Sequence, residues 1–154
     1  MVAASSWKVV LVTGCSQGGL GAYLCEEYVR QGCIVYATAR NPSSMKFTSP
    51  EIRMLKLDVV DDEQVKSVVQ TVIDKEGRID ILVNNAGMGC AGPLTDTPVD
   101  VIKNVFDANT FSVMRMVQAV FPHMAARKSG LVVNVGSISG EMCVSHFPSL
   151  FKVY

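Results

Sequence analysis

Apolar residues along this chain fall into two alternating patterns. Short runs rich in β-branched residues read as strands: KVVLV (8–12), CIVYATA (33–39), IRMLKLDV (52–59), IDILVNNAG (79–87) and LVVNV (131–135). Longer stretches with helical spacing lie between them. In LGAYLCEEYVRQG (20–32), Leu20, Leu24 and Tyr28 recur at every fourth residue, and Gly32 supplies a stop. In VDDEQVKSVVQTVIDKEG (60–77), Val65, Val68, Val69, Val72 and Ile73 form one stripe, with Asp61 and Gln64 spaced as a capping box. Thr97-Pro98 predicts a cap followed by proline at the first helical position. Helical spacing then runs through DVIKNVFDANTFSVMRMVQAVFPHMAARKSG, with a break, and ends at Lys128 before Gly130.

Strands separated by helices call for a parallel sheet with helices on both faces. Parallel strands buried on both sides read as continuous apolar runs, as VVLV does and LVVNV largely does. The expected fold is therefore α/β: a doubly wound parallel sheet of five strands. In such sheets ligands bind beyond the carboxyl ends of the strands. Most of the chemistry-bearing motifs sit at those ends.

Composition narrows the function classes. The 154 residues suffice for one domain with a single core. Fourteen basic and fourteen acidic side chains cancel and form no long run of either sign, which excludes an extended nucleic-acid surface. Five cysteines, Cys15, Cys25, Cys33, Cys90 and Cys143, are widely spaced with no C-x-x-C pair, a pattern of reduced cytoplasmic thiols. His123 and His146 have no ligand spacing around them, so no metal is expected. Met114, Met116 and Met124 follow helical spacing and read as packing. The apolar run near the N-terminus is too short for a membrane span, and no transmembrane segment is predicted.

TGCSQGGLG (13–21) joins the first strand to the first helix. Glycines there let backbone approach a pyrophosphate, and the helix N-terminus supplies free N–H groups and a positive dipole. The turn lacks G-x-G-x-x-G and G-K-[ST] spacing, and a tight turn that needs small residues would read the same way. Arg40 follows the second strand, where dinucleotide folds read the adenosine ribose. Thr38, Ala39 and Arg40 offer no carboxylate for a 2′-hydroxyl, whereas a guanidinium suits a 2′-phosphate. A lone surface arginine can also serve solubility alone. Asp58 can accept from an adenine amino group or cap the turn that follows it. Asn85 can bond across strands, while Ala86 and Gly87 leave room for a flat ring.

TGCSQGGLG, LDV, NNAG, DANTF and NVGSISG, in this order and spacing, resemble the short-chain dehydrogenase/reductase family over residues 8 to about 142. GCSQGGLG, VYATARNPSSM and GSISGE further resemble the fungal-type NADPH-dependent 1-acyldihydroxyacetone-phosphate reductases. The family's T-G-x-x-x-G-x-G pattern is met by Thr13, Gly14 and Gly18, with Gly19 between and the closing Gly21 one residue late. The resemblance implies a Rossmann-like sheet with the strand order 3-2-1-4-5 and NADP(H) as cofactor. Ser16 and Arg40 would hold its 2′-phosphate, Asp58 the adenine, and Asn85, Ala86 and Gly87 the adenosine ribose and nearby backbone. Asn109 would support an active-site water and lysine. Ser137, with Ser139 as a second candidate, would bond a substrate carbonyl.

The implied reaction is reduction of a small or lipid-like ketone, 1-acyldihydroxyacetone phosphate above all. The resemblance further implies a cytoplasmic protein, peripheral at the endoplasmic reticulum or lipid droplets, that can form homo-oligomers. The family's acid is the tyrosine of Y-x-x-x-K, whose lysine lowers a phenol pKa of about 10. Tyr154 is the candidate, and no lysine follows it in the sequence given. The expectation is an incomplete NADP-binding domain over 1–142 and a divergent tail over 143–154. The fifth strand then becomes an apolar edge that favours association and marginal stability. Two alternatives stand beside the reductase: a catalytically inactive NADP-binding module and a non-functional fragment.

Overall fold

The computed structural model describes residues 7–90, 92–93 and 95–137. Five strands, β1 (Val9–Val12), β2 (Ile34–Ala39), β3 (Arg53–Lys56), β4 (Ile81–Asn84) and β5 (Leu131–Asn134), form one sheet in the order β3-β2-β1-β4-β5. All four pairings are parallel, with Val10, Leu11 and Val12 opposite Ile81, Leu82 and Val83. The doubly wound sheet expected from the apolar runs is therefore the observed one. Helices α1 (Leu20–Arg30), α2 (Asp62–Glu76), α3 (Val99–Phe106) and α4 (Ser112–Arg127) fill the connections.

Alternation along the strands divides the core in two. Val9, Leu11 and Leu82 face α2 and α4 and pack with Val65, Val69, Val72, Met116, Val120 and Met124. Val10, Val12, Ile81 and Val83 face α1 with Cys15 and Cys25. Strands β1 and β4 are buried along their whole length. Strand β5 is not: it is the outermost strand among the described residues, and Leu131 is 53% exposed.

Helix α2 follows its sequence. Val65, Val68, Val69 and Val72 are buried, Asp61 accepts from the Glu63 and Gln64 N–H groups, and Gly77 closes the helix at φ 74°. The capping box differs in its return bond. Gln64 Oε1 accepts from Asp58 N–H at 3.1 Å, tying the β3 exit to the helix.

Helix α1 departs further from expectation. Its buried positions are Gly21, Ala22 and Cys25, and Leu20 is 55% exposed. Small side chains take the contact face because the helix starts pressed against the glycine turn, where no leucine fits. Its end matches the prediction. Gly32 at φ 78° donates to Val29 O, and Cys33 donates to Tyr28 O, which satisfies the last carbonyls.

The long helical stretch begins at Val99, with Pro98 at the cap, and Thr97 Oγ1 donates back to Pro93 O at 2.9 Å instead of capping. The expected break is a π-helical turn, Asp107–Phe111, flanked by residues that keep helical dihedrals. The chain therefore widens by one residue there without leaving the helix.

Candidate functional site

Thr13 closes β1 with its side chain buried. Its Oγ1 accepts from both the Asn85 and Ala86 N–H groups, each at 3.0 Å. Asn85 returns the link: its Nδ2 donates to Thr13 O at 2.8 Å and to Gly14 O at 3.0 Å. These four bonds stitch the β1 turn to the β4 turn and satisfy part-buried polar groups on both sides. The crossing is so close that Gly14, at φ 72°, leaves no room for a Cβ, which would stand 2.7 Å from Ala86 Cα. A Cβ on Gly21 would stand 2.5 Å from Asn85 Nδ2. Thr13, Gly14, Gly21 and Asn85 thus build the turn, whatever else they contact.

Above this stitch lies an open cleft of about 680 Å³ at the carboxyl ends of β1 to β4. Of the residues singled out from sequence, Gly14, Ser16, Arg40, Asp58, Asn85 and Gly87 border it. Ser16 Oγ is 3.1 Å from Ser44 Oγ, and Ser44 Oγ donates to Asn41 O at 2.6 Å. Arg40 shares this end of the cleft, and no described carboxylate pairs with it. Asp58 Oδ1 accepts from Val60 N–H at 3.3 Å, within the turn that follows β3, and the residue borders the cleft. Helix α1 starts at Gly19 with no side-chain cap, and nothing lies within 4 Å of a Cβ built on Gly18. A basic group and hydroxyls bordering the cleft, with the uncapped start of α1 beside Ser16, suit a phosphate-bearing ligand.

Asn109 lies in the π-helical turn, behind the cleft rather than in its wall. Its Oδ1 accepts from Met88 N–H and its Nδ2 donates to Met88 O, both at 2.8 Å. The carboxamide acts as a backbone partner for the chain leaving β4. A Cβ on Gly87 would stand 3.3 Å from Asn109 Oδ1, so the two segments are already in contact. Ser137 follows β5 on the same end of the sheet and is exposed; it is not among the residues that border the cleft. Ser139 and Tyr154, with the tail 143–154, lie outside the described residues.

Sequence reasoning did not find Ser44, Asn104 or Asp107, which also border the cleft. The Asn-Pro pair after β2 marks a turn, and that turn is what carries Ser44 back to Ser16. Under the floor of the glycine turn, Cys15 and Cys25 are both fully buried with sulfurs 3.5 Å apart. The contact with Cys25 draws the Cys15 thiol below its usual range and pushes Cys25 above it, with burial adding to the rise. The four described cysteines are free thiols. Among the described residues no group of side chains could hold a metal ion, and no helix is long and apolar enough to cross a membrane.

A family model described as short chain dehydrogenase matches residues 8–149. The NADPH-dependent 1-acyldihydroxyacetone phosphate reductase of Schizosaccharomyces pombe is 39% identical over 147 residues, covering 94% of this chain and 48% of that protein. The 3-ketodihydrosphingosine reductase of Bacteroides thetaiotaomicron is 35% identical over 139 residues, covering 90% of this chain and 50% of that protein. The chain thus spans about half the length of the curated relatives it matches. Among solved structures, ElxO with NADP bound is similar at a TM-score of 0.83 and 30% identity, covering 92% of this chain and 60% of that one.

Proposed function

Because the chain belongs to the short-chain dehydrogenase family, we propose that it binds NADP(H) in the cleft above β1 to β4 and forms the cofactor half of a ketone reductase. One observation carries the choice of nucleotide: Ser16 and Arg40 border the same end of one cleft, at the place where this sheet class meets the adenosine ribose. In this reading the Arg40 guanidinium and Ser16 hydroxyl hold the 2′-phosphate. The uncapped start of α1, from Gly19, takes the pyrophosphate, and Asp58 accepts from the adenine amino group. Asn85, Ala86 and Gly87 set the backbone beside the adenosine ribose, and Asn109 fixes that backbone through Met88.

The bound cofactor supplies the hydride. The chain's part is to bind and orient it, and to steer the substrate carbonyl through Ser137, with Tyr154 as the candidate proton donor. A lipid-like ketone is the proposed substrate, because two relatives are named as reductases of ketones on lipid molecules. Reduction of 1-acyldihydroxyacetone phosphate to 1-acylglycerol 3-phosphate is the specific case. The site of action is the cytoplasm or the cytoplasmic surface of the endoplasmic reticulum or lipid droplets, in a homo-oligomer.

The exposed edge strand favours a second reading, an NADP-binding module that works by association with a longer relative. Leu131 and Val135 lie 53% and 36% open at the sheet edge, an apolar surface suited to a partner. Following nicotinamide absorbance with NADPH and an acyl-dihydroxyacetone phosphate separates the two. Turnover supports the reductase, binding without turnover supports the module, and absence of binding removes both.

A further inference from the structure

Asp107 borders the cleft, and its Oδ1 lies 2.6 Å from Arg115 Nη1. Both atoms are shielded from solvent. A carboxylate in the wall of a phosphate-binding cleft repels its ligand, and the repulsion grows where water is excluded. Arg115 is placed to cancel that charge. It stands on α4, eight residues after Asp107, and its Nε donates to Asp62 Oδ1 at 2.7 Å in the first turn of α2. The guanidinium is therefore held from two sides and cannot swing into solvent without breaking both contacts. The Asp107 carboxylate also holds it above the usual arginine range, with a smaller contribution from Asp62, so the cation persists at any working pH.

We propose that Arg115 is a positioning residue for nucleotide binding, neutralising Asp107 in the cleft wall at the start of the π-helical turn that carries Asn109. The proposal rests on reading the cleft as the NADP(H) site. The same contacts would also serve a purely structural tie between α2, the π-helical turn and α4, so the test must separate charge from scaffolding. Removing Asp107's charge should help binding if the carboxylate repels, and should hurt binding if Asp107 matters only as an anchor.

The experiment is an NADPH fluorescence titration of the full 154-residue chain, its Arg115→Met and Asp107→Asn variants and the double variant, at low and at physiological salt. Arg115→Met is expected to weaken binding on the order of fivefold at low salt, with the loss shrinking as salt rises. Asp107→Asn alone is expected to tighten binding, and the double variant to return to within about twofold of wild type. Weaker binding by Asp107→Asn, or a double variant no better than Arg115→Met, overturns the proposal while leaving the nucleotide reading intact. If Arg115→Met does not fold, the sign of the Asp107→Asn effect decides. Failure of the wild type to bind NADPH overturns the cofactor reading and the proposal with it, and is seen before any variant is made.

Discussion

Asn85 Nδ2 donates to two carbonyls at once, Thr13 O at 2.8 Å and Gly14 O at 3.0 Å, and so locks the end of β4 onto the end of β1. The bonds are half-buried, so their loss is not fully made good by water. Asn85→Ala is expected to destabilise the fold by about 1–3 kcal/mol. Asn85→Asp should cost more, because a carboxylate has no proton to give either carbonyl. Urea unfolding of the two variants checks the order. An aspartate variant as stable as wild type would remove the stitch from the account.

Glycines in the turn differ in what they tolerate. A Cβ on Gly21 would meet Asn85 Nδ2 at 2.5 Å and Gly14 O at 2.8 Å, whereas one on Gly18 meets nothing within 4 Å but sits at φ 77°. Gly21→Ala is expected to cost about 2–3 kcal/mol through overpacking. Gly18→Ala should cost about 1 kcal/mol through backbone conformation alone. Gly89, with open space and no positive φ, is the neutral control. Thermal melts of the three variants give the ranking, and equal losses at Gly21 and Gly18 would contradict the close-approach explanation.

That contrast also marks how far the sequence could be read. Continuous apolar runs identified β1 and β4, and the valine stripe identified α2, because each signal is carried by residues close together in the chain. The order of strands came from the family resemblance carried by the motif order, since alternation of elements does not fix it. The contact face of α1 was not legible from Leu20 and Leu24, since close packing there is done by Gly21, Ala22 and Cys25. Nor could Arg115 be tied to Asp62, 53 residues away, or Asn109 to Met88. Such partners depend on how the helices lie across the sheet. The one local trace of the π-helical turn was a break in an otherwise long helical pattern around DANTF.

At the opposite end of the sheet, Asp80 gathers Val9 N–H, Arg78 and Arg127, with Arg127 Nη1 at 3.0 Å and Arg78 Nε at 2.9 Å. Burial alone would raise its carboxyl, but these three donors outweigh it and hold Asp80 below the ordinary carboxylate range. A carboxyl depressed in the folded state stabilises fully above its unfolded pKa of about 3.9. That stability is lost as pH falls through the lower folded value. Asp80→Asn is therefore expected to cost about 1–3 kcal/mol at neutral pH. The gap to wild type should close in acid below the unfolded carboxyl pKa. Unfolding free energies across the acid range test this, and a gap independent of pH would show that charge is not its source.

The account turns on Arg40 and Ser16 reading a 2′-phosphate at the end of β2. Titrating the wild type and Arg40→Ala with NADPH and with NADH measures that most directly. The account predicts tighter binding of NADPH than of NADH by wild type. It also predicts a loss on the order of tenfold for NADPH in Arg40→Ala, with NADH nearly unchanged. Equal affinity of the wild type for the two nucleotides, or an Arg40→Ala variant that keeps its preference for NADPH, would contradict it.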